Sequence, residues 1–330
     1  MERTLHFIGA DIAKKSIDLV IHGLKSHLQI ENNPTGFNQF LVWFKANRIP
    51  LTQAIVIMEH TGLYSYCFEK FLFEKSIQFC KVSSLDIKLS IGVTRGKSDR
   101  IDATRIARYG SENSLRLTLA TPMSKALERL KLLNSSRDNL VRVRAGLLNS
   151  TEELRNLGMQ DIDIALGAQM KVIKCLDEQI LALDQEMEYI IKSEEKINAN
   201  YQLIRTIKGI GPVVARNTII KTHNFERFTN ARKFACYCGI APFEHTSGTS
   251  IKGRTRVNHL ADKEMKCLLD LAAKSAITCD PELSKYYQRR LEMGKSKMAT
   301  INIVRNKLVG RIFAVVMRQS PFVVCQKVAA

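Results

Sequence analysis

The stretch Gly96-Lys97-Ser98-Asp99-Arg100-Ile101-Asp102-Ala103 sets two carboxylates three residues apart, with a cation on either side of the first. If Ser98 caps a helix running toward Ala107, Asp99 and Asp102 lie on one face, one turn apart. Like charges at that spacing repel, and folding gains nothing from them. A divalent cation ligated by both would remove the repulsion. The ordinary alternative is a pair of solvated acids on a helix surface, and an isolated DxxD reads that way. Two further acids change the balance: Asp11 ends the apolar run from Leu5, and Glu59 ends the run from Ala54. In a mostly parallel sheet, groups at the carboxyl ends of strands face a common crevice. Four carboxylates from three elements, Asp11, Glu59, Asp99 and Asp102, can therefore converge on one hard cation. All-oxygen ligation suits Mg²⁺ or Mn²⁺ and not zinc.

A second stretch with chemical potential runs from Gly239 to Arg256 and contains His245-Thr246-Ser247-Gly248-Thr249-Ser250. It reads as a loop of glycines and small hydroxyl residues, followed by Lys252, Arg254 and Arg256 at alternating positions. Such a loop could hold a phosphodiester near a serine while the cations neutralise it. Serine in a loop is ordinarily a turn residue, so the residues alone favour a basic, nucleic-acid-touching loop. His245 is close enough to be considered as a base, but nothing in the sequence assigns it that role.

The elements that must position these groups follow in order. Leu5–Asp11 and Ser16–Ile21 read as a hairpin joined by the short basic turn Ile12–Lys15. Asn33-Pro34-Thr35-Gly36 breaks the chain before a helix carrying Phe37, Phe40, Leu41 and Phe44. Ala54–Glu59 is the kind of strand buried on both faces. A helix over Leu63–Lys75 and a strand over Ile77–Val82 then lead toward Asp99. Asp18 and Asp86 fit no pattern and are expected at the surface. Between Pro122 and Pro212 there is no proline. Leu127, Leu130, Leu140, Leu147, Leu148 and Leu154 mark one long helix. Ile173, Leu176, Ile180, Leu183, Met187 and Ile190 mark a second, with a break at Asn156-Leu157-Gly158. The two form an antiparallel pair or a coiled coil, paired with each other or with another subunit. Lys131, Arg137, Arg142 and Arg144 are either phosphate contacts or a solvated face.

Ile204–Ala215 reads as a helix-hairpin-helix around Lys208-Gly209-Ile210-Gly211-Pro212. Its glycines would let a strand approach, and the following helix start would offer amides to a phosphate. An ordinary tight turn is the alternative. Tyr286 and Tyr287 precede Arg289-Arg290, but the converging Arg and His motifs of a tyrosine recombinase are missing, so they are expected to pack or stack. Cys236 and Cys238 lack a zinc-ribbon spacing and read as core.

Over 330 residues, 50 Lys+Arg face 32 Asp+Glu, a formal charge of +18. Such a surplus attracts a polyanion, nucleic acid first and an anionic membrane second. No apolar run reaches the roughly twenty residues of a membrane span, and the start at Met1-Glu2-Arg3-Thr4 does not resemble a secretory signal. The 8 scattered cysteines fit a reducing compartment. A cytoplasmic protein is expected.

Ile8-Gly9-Ala10-Asp11-Ile12-Ala13-Lys14, Met58-Glu59-His60-Thr61-Gly62 and Lys97-Ser98-Asp99-Arg100-Ile101-Asp102-Ala103 together resemble the DEDD transposases of bacterial insertion sequences, the one-ten type that includes the Piv DNA invertase. The resemblance implies a RuvC/RNase H-like α/β domain over residues 1–118, a helical coiled-coil middle over 119–200, and a mainly α transposase domain with the helix-hairpin-helix over 201–330. It implies that Asp11, Glu59, Asp99 and Asp102 bind Mg²⁺ or Mn²⁺. Ser247, with Ser250 as neighbour, best matches the serine thought to attack DNA from the distal domain. Lys208, Gly209, Gly211, Lys252, Arg254 and Arg256 would touch nucleic acid. The implied partners are donor and target DNA, a non-coding bridge RNA and further copies of the chain, as dimer or tetramer, with no membrane. The resemblance also implies a bacterial protein, associated with the nucleoid when bound to DNA. Family members insert or invert DNA, and the sequence does not separate the two.

Three rivals remain weaker. An actin-like kinase would need a second phosphate loop and a glycine-rich adenosine motif, and neither is found. A Holliday-junction resolvase would not need residues 120 to 330. A non-enzymatic nucleic-acid-binding architectural protein would leave the four acids incidental.

Overall fold

The computed structural model describes residues 5–60, 62–92, 98–156, 163–228, 230–247, 251–257 and 261–323, with the backbone alone at 63, 91, 244–247 and 251–256. The chain divides into two compact units, Met1–Pro122 and Met123–Ala330. The first contains β1 (His6–Ile12), β2 (Ser16–Ile21), β3 (His27–Glu31), α1 (Pro34–Ala46), β4 (Ala54–Glu59), α2 (Tyr66–Glu74), β5 (Gln78–Val82), α3 (Ser84–Ile91) and α4 (Asp99–Glu112). The five strands form one sheet in the order β3-β2-β1-β4-β5. β1, β2 and β3 pair antiparallel, while β1, β4 and β5 run parallel.

Strand alternation sorts the side chains onto two covered faces. Ile8, Ala10, Ile17, Leu19, Val56 and Met58 pack with Phe37, Phe40 and Phe44 of α1 and Phe68 and Leu72 of α2. Phe7, Ile55, Ile57, Cys80 and Val82 point the other way, toward Ile87 of α3 and Ile106 of α4. The first helix starts where expected: Asn33 accepts from Gly36 N at 2.9 Å, and Pro34 needs no donor in the first turn.

The second unit holds α5 (Lys125–Asn156), α6 (Asp163–Ser193), α7 (Glu195–Arg205), α8 (Pro212–Thr222), α9 (Ala231–Tyr237), β6 (Pro242–Ser247), β7 (Ile251–Val257), α10 (Lys263–Cys279), α11 (Pro281–Glu292) and α12 (Lys297–Arg318). Its core gathers around Val304, Leu308 and Ile312 of α12, Leu269 and Ala273 of α10, Ile219 of α8, and Leu130 and Ile190 at one end of the long pair.

α5 and α6 run antiparallel, as their cross-links show. Arg129 meets Glu186, Arg137 meets Asp184 at 2.8 Å, Arg144 meets Asp177, and Thr151 meets Gln169 at 2.8 Å. One partner's number rises as the other's falls. α5 ends at Asn156, where a break was expected; Leu157 and Gly158 lie outside the described residues. Arg137 and Arg144, considered above as phosphate contacts, are committed to interhelical ion pairs, and Arg142 bonds Asn139 and the Asp138 carbonyl.

Candidate functional site

All four candidate acids fall on described residues: Asp11 near the end of β1, Glu59 at the end of β4, and Asp99 and Asp102 in the first turn of α4. Gly9 and Ile57 are partners in the parallel register of β1 and β4, and so are Ala10 and Met58. One residue on, Asp11 and Glu59 therefore stand side by side at the carboxyl ends of neighbouring strands, on the face that Gly9 and Ile57 present to α4. A Cβ at Gly9 would lie 2.0 Å from the Ala103 carbonyl and 2.4 Å from the Ala107 nitrogen, and one at Gly110 would lie 2.4 Å from Ile57. Only glycine admits a helix backbone this close to the sheet. The contact fixes Ala103 over Gly9, so the first turn of α4, with Asp99 and Asp102, is carried toward Asp11.

The start of α4 is set locally. Ser98 is extended, and its Oγ accepts from Ile101 N at 3.3 Å, as the spacing predicted. Gly96 and Lys97 of that motif, and Thr61 beside Glu59, lie outside the described residues.

The electrostatics carry the same message. Burial, and then the carboxylates of Asp99, Asp102, Glu59 and Asp18, push the Asp11 carboxyl up to about 6. Part of the cluster is already engaged: Asp102 meets Arg105 at 2.8 Å, and Glu59 accepts from Ser84 Oγ at 2.6 Å. Among the described residues, no three His, Cys, Asp or Glu side chains stand in an arrangement that holds an ion. The donor set nevertheless suits a hard cation. It offers only oxygen, and its most buried acid is short of positive charge.

Asp18 corrects the expectation of a surface acid. It is 4% exposed, sits directly across from Asp11 in the β1–β2 register, and meets His27 Nε2 at 2.7 Å and Gln29 Nε2 at 3.0 Å. Its burial comes from β3 alongside and α4 above. The alternation Ile17-Asp18-Leu19 had shown only that it points away from its neighbours.

In the second unit, the stretch expected as a loop is a hairpin. β6 and β7 pair antiparallel, with Ser247 opposite Ile251 and Thr246 opposite Lys252. The alternation of Lys252, Arg254 and Arg256 was the period-two signature of a strand, but the register shifts between the Phe243–Arg256 and His245–Gly253 pairs, so Lys252, opposite Thr246, and Arg256, opposite Phe243, stand at positions of opposite faces of β7. Ser250 lies outside the described residues, as do the side chains of Ser247, His245 and the three cations. The base of the hairpin is held by Asn302 and Asn306 of α12, whose amides both donate to the Ile240 carbonyl at 2.8 and 2.9 Å.

The helix-hairpin-helix reading lands on α7, a turn, and α8. Gly209 has φ +88°, and a Cβ there would lie 2.5 Å from that of Ala276 on α10, so its crowding is with protein. Around Gly211 the space is open. Gly211 caps α8 without a side-chain bond, and Pro212 follows at the first helical position. Tyr286 packs and stacks as expected: its hydroxyl accepts from Arg290 Nε at 3.1 Å, and Lys307 Nζ lies 4.4 Å from the ring centre. Cys238 is buried, and its thiol is pushed up by burial. No helix among the described residues is long and apolar enough to cross a membrane.

Two family profiles match the chain. A DEDD transposase profile of the IS110 type, described as Transposase, covers residues 8–155, and one described as Transposase IS116/IS110/IS902 family covers 201–288. The pilin gene-inverting protein of Moraxella bovis is 26% identical over 331 residues, spanning 96% of this chain and 97% of that protein. The transposase for insertion sequence element IS1111A of Coxiella burnetii is 24% identical over 178 residues, 47% of this chain and 48% of its own length. The mini-circle putative transposase for IS117 of Streptomyces coelicolor is 25% identical over 52% of this chain and 45% of its own. With its four acids inside one profile and its hairpin-helix and serine stretch inside the other, the chain belongs to the IS116/IS110/IS902 family of transposases.

Proposed function

We propose that this protein cleaves and rejoins DNA strands with a divalent metal held by Asp11, Glu59, Asp99 and Asp102, on a RuvC/RNase H-like sheet. The single observation that carries this reading is Asp11, half-buried and pushed up to about 6 amid the other three carboxylates. A cluster of like charges at the carboxyl end of two parallel strands has no use in folding. Mg²⁺ or Mn²⁺, when bound, would polarise a scissile phosphate and neutralise charge on the leaving oxygen. The protein's own part is positional. Gly9 lets α4 seat on the sheet, Ser98 starts the helix, and Arg105 and Ser84 hold Asp102 and Glu59 in defined rotamers.

Ser247 is the nucleophile in this proposal, matched on the family's Ser-Gly motif, with Ser250 as the neighbouring candidate. Lys252, Arg254 and Arg256 along β7, with Lys208, Gly211 and the uncapped start of α8, form the nucleic-acid contacts; Gly209 shapes the turn. A bridge RNA would read sequence by base pairing, while the +18 surplus holds backbones. Further copies would associate along the long pair. Val141, Val143 and Leu148 of α5 and Val172 and Leu181 of α6 stay exposed, which supports a dimer or tetramer.

Inversion is a second specific reading, favoured by one observation: the similarity to pilin gene-inverting proteins runs over nearly the full length of both chains. Two experiments test the proposal. Asp99→Ala with Asp102→Ala should abolish strand cleavage with Mg²⁺, whereas intact function would mark the acids as incidental. Ser247→Ala should eliminate a covalent protein–DNA adduct trapped under denaturing conditions; an adduct lost only in Ser250→Ala moves the nucleophile.

A further inference from the structure

On the face covered by α4, a cavity of about 240 Å³ opens between the β2–β3 turn and α4. Its polar lining is His22, Lys25, Ser26 and His27 from the turn with Arg100 and Thr104 from α4, and among the described residues no Asp or Glu lines it. Lys25 and Arg100 have no ion-pair partner among the described residues. Ser26 Oγ accepts from Trp43 Nε1 at 2.9 Å, which leaves its own proton to donate. Among the described residues, every polar side chain here can donate a hydrogen bond, and none carries negative charge.

The cavity adjoins the acids through two elements. Arg100 follows Asp99 directly on the first turn of α4, so that turn bears carboxylates on one side and a cation on another. His27 lines the cavity and also bonds Asp18, the cross-strand neighbour of Asp11. A polyanionic strand brought to four carboxylates is repelled by them. A pocket of donors between α4 and the turn at the far end of β2 offsets that repulsion and fixes the strand's register.

We infer that this cavity is a phosphodiester subsite, holding a backbone phosphate of the cut DNA strand a few nucleotides along from the one that is cut. The inference rests on the DNA-cleaving reading and adds to it the residues that seat the strand: Arg100 and Lys25 as charge, Ser26 and Thr104 as hydrogen-bond donors.

The test measures binding of the full chain to a fluorescent duplex oligonucleotide in EDTA, so that no cleavage intervenes, over a series of salt concentrations. Lys25→Ala with Arg100→Ala should weaken binding about tenfold and lower the slope of log K against log salt by about one to two, the value of one to two lost phosphate contacts. Arg100→Lys should restore part of the affinity. Lys45→Ala with Lys75→Ala, equal in charge and both exposed on the opposite helical layer, should change affinity less than about threefold. An unchanged slope, an equal loss in the control pair, or a loss seen with an RNA oligonucleotide but not with the duplex would overturn the subsite. Thermal unfolding of each variant confirms that the fold is kept, since Lys25 and Arg100 are exposed. A wild-type chain that binds no DNA would instead refute the reading on which the subsite rests.

Discussion

In the second unit, Asp280 is 1% exposed and meets Arg311 at 2.6 Å. Arg305 pairs with Asp270, and Arg216, 2% exposed, reaches Asp184 at 2.9 Å. In the first unit, Asp11 has Asp99, Asp102, Glu59 and Asp18 for neighbours, and their charges add to its own. Desolvating a charge costs several kcal/mol unless an opposite charge and hydrogen bonds meet it. Where the chain needs only to fold, it meets that cost with a partner. Where four acids gather and the charges around Asp11 all raise its carboxyl, something outside the polypeptide completes them, and the local instability is the sign of it.

That contrast can be broken, beginning with the largest effect. Asp11→Asn should cut strand cleavage by at least about 10³-fold, since it removes charge stabilisation worth several kcal/mol. DNA binding should stay within about twofold, and stability should stay level or rise, because a repelled charge is gone. Cleavage retained with Mg²⁺ would end the assignment. Asp280→Ala should do the reverse. It should cost about 3–5 kcal/mol of stability in denaturant melts, because Arg311 is left buried without its partner while Glu282 covers it only in part.

Gly9→Ala joins the two cases. Its methyl would collide with the backbone of α4, so about 1–3 kcal/mol of stability should be lost. Cleavage should fall further than stability accounts for, as the first turn of α4 is displaced from Asp11. Equal loss of both would separate the helix seat from the chemistry.

The pH dependence sharpens the comparison. Asp11 is raised from 3.8 to about 6 in the fold, so the folded form holds a proton that the unfolded chain has released across that range. Its favourable contribution is complete below about pH 4 and is lost as pH rises through about 6. The ceiling is about 3 kcal/mol, and solvent around a half-buried group brings it nearer to about 1. Stability measured from pH 4 to 7 should fall less in Asp11→Asn than in the native chain. Added Mg²⁺ should raise the melting temperature more at pH 7.5 than at pH 5, and not in the variant. The smallest effect belongs to Arg144→Ala: its partially exposed pair with Asp177 should be worth no more than about 1 kcal/mol.

Much of the first unit was legible because its signals are local. Apolar runs ending in an acid gave β1 and β4, and Ser98 three residues before Ile101 gave the start of α4. The α5–α6 pair was legible from spacing, and its partner, left open by the sequence, proved to be the neighbouring helix. What stayed hidden depends on residues distant in the chain. Asp18 is buried by His27, Gln29 and α4, and Arg137 finds its acid 47 positions away. The Ser247 stretch misled for a different reason. Glycine and hydroxyl residues weighed toward a loop, although the alternating cations already had a strand's period.

The 32 residues of α5, at about 1.5 Å each, make a rod about 48 Å long, close to the rise of fourteen stacked base pairs. Its buried apolar residues, Leu127 and Leu130, lie near one end; beyond them it leans mainly on α6. Such a strut has a length fixed by covalent geometry and not by how a core happens to compress. Removing one heptad from each helix, in matched positions, would draw its tip in by about 10 Å while preserving the seam, which makes reach a quantity that can be adjusted without touching either end.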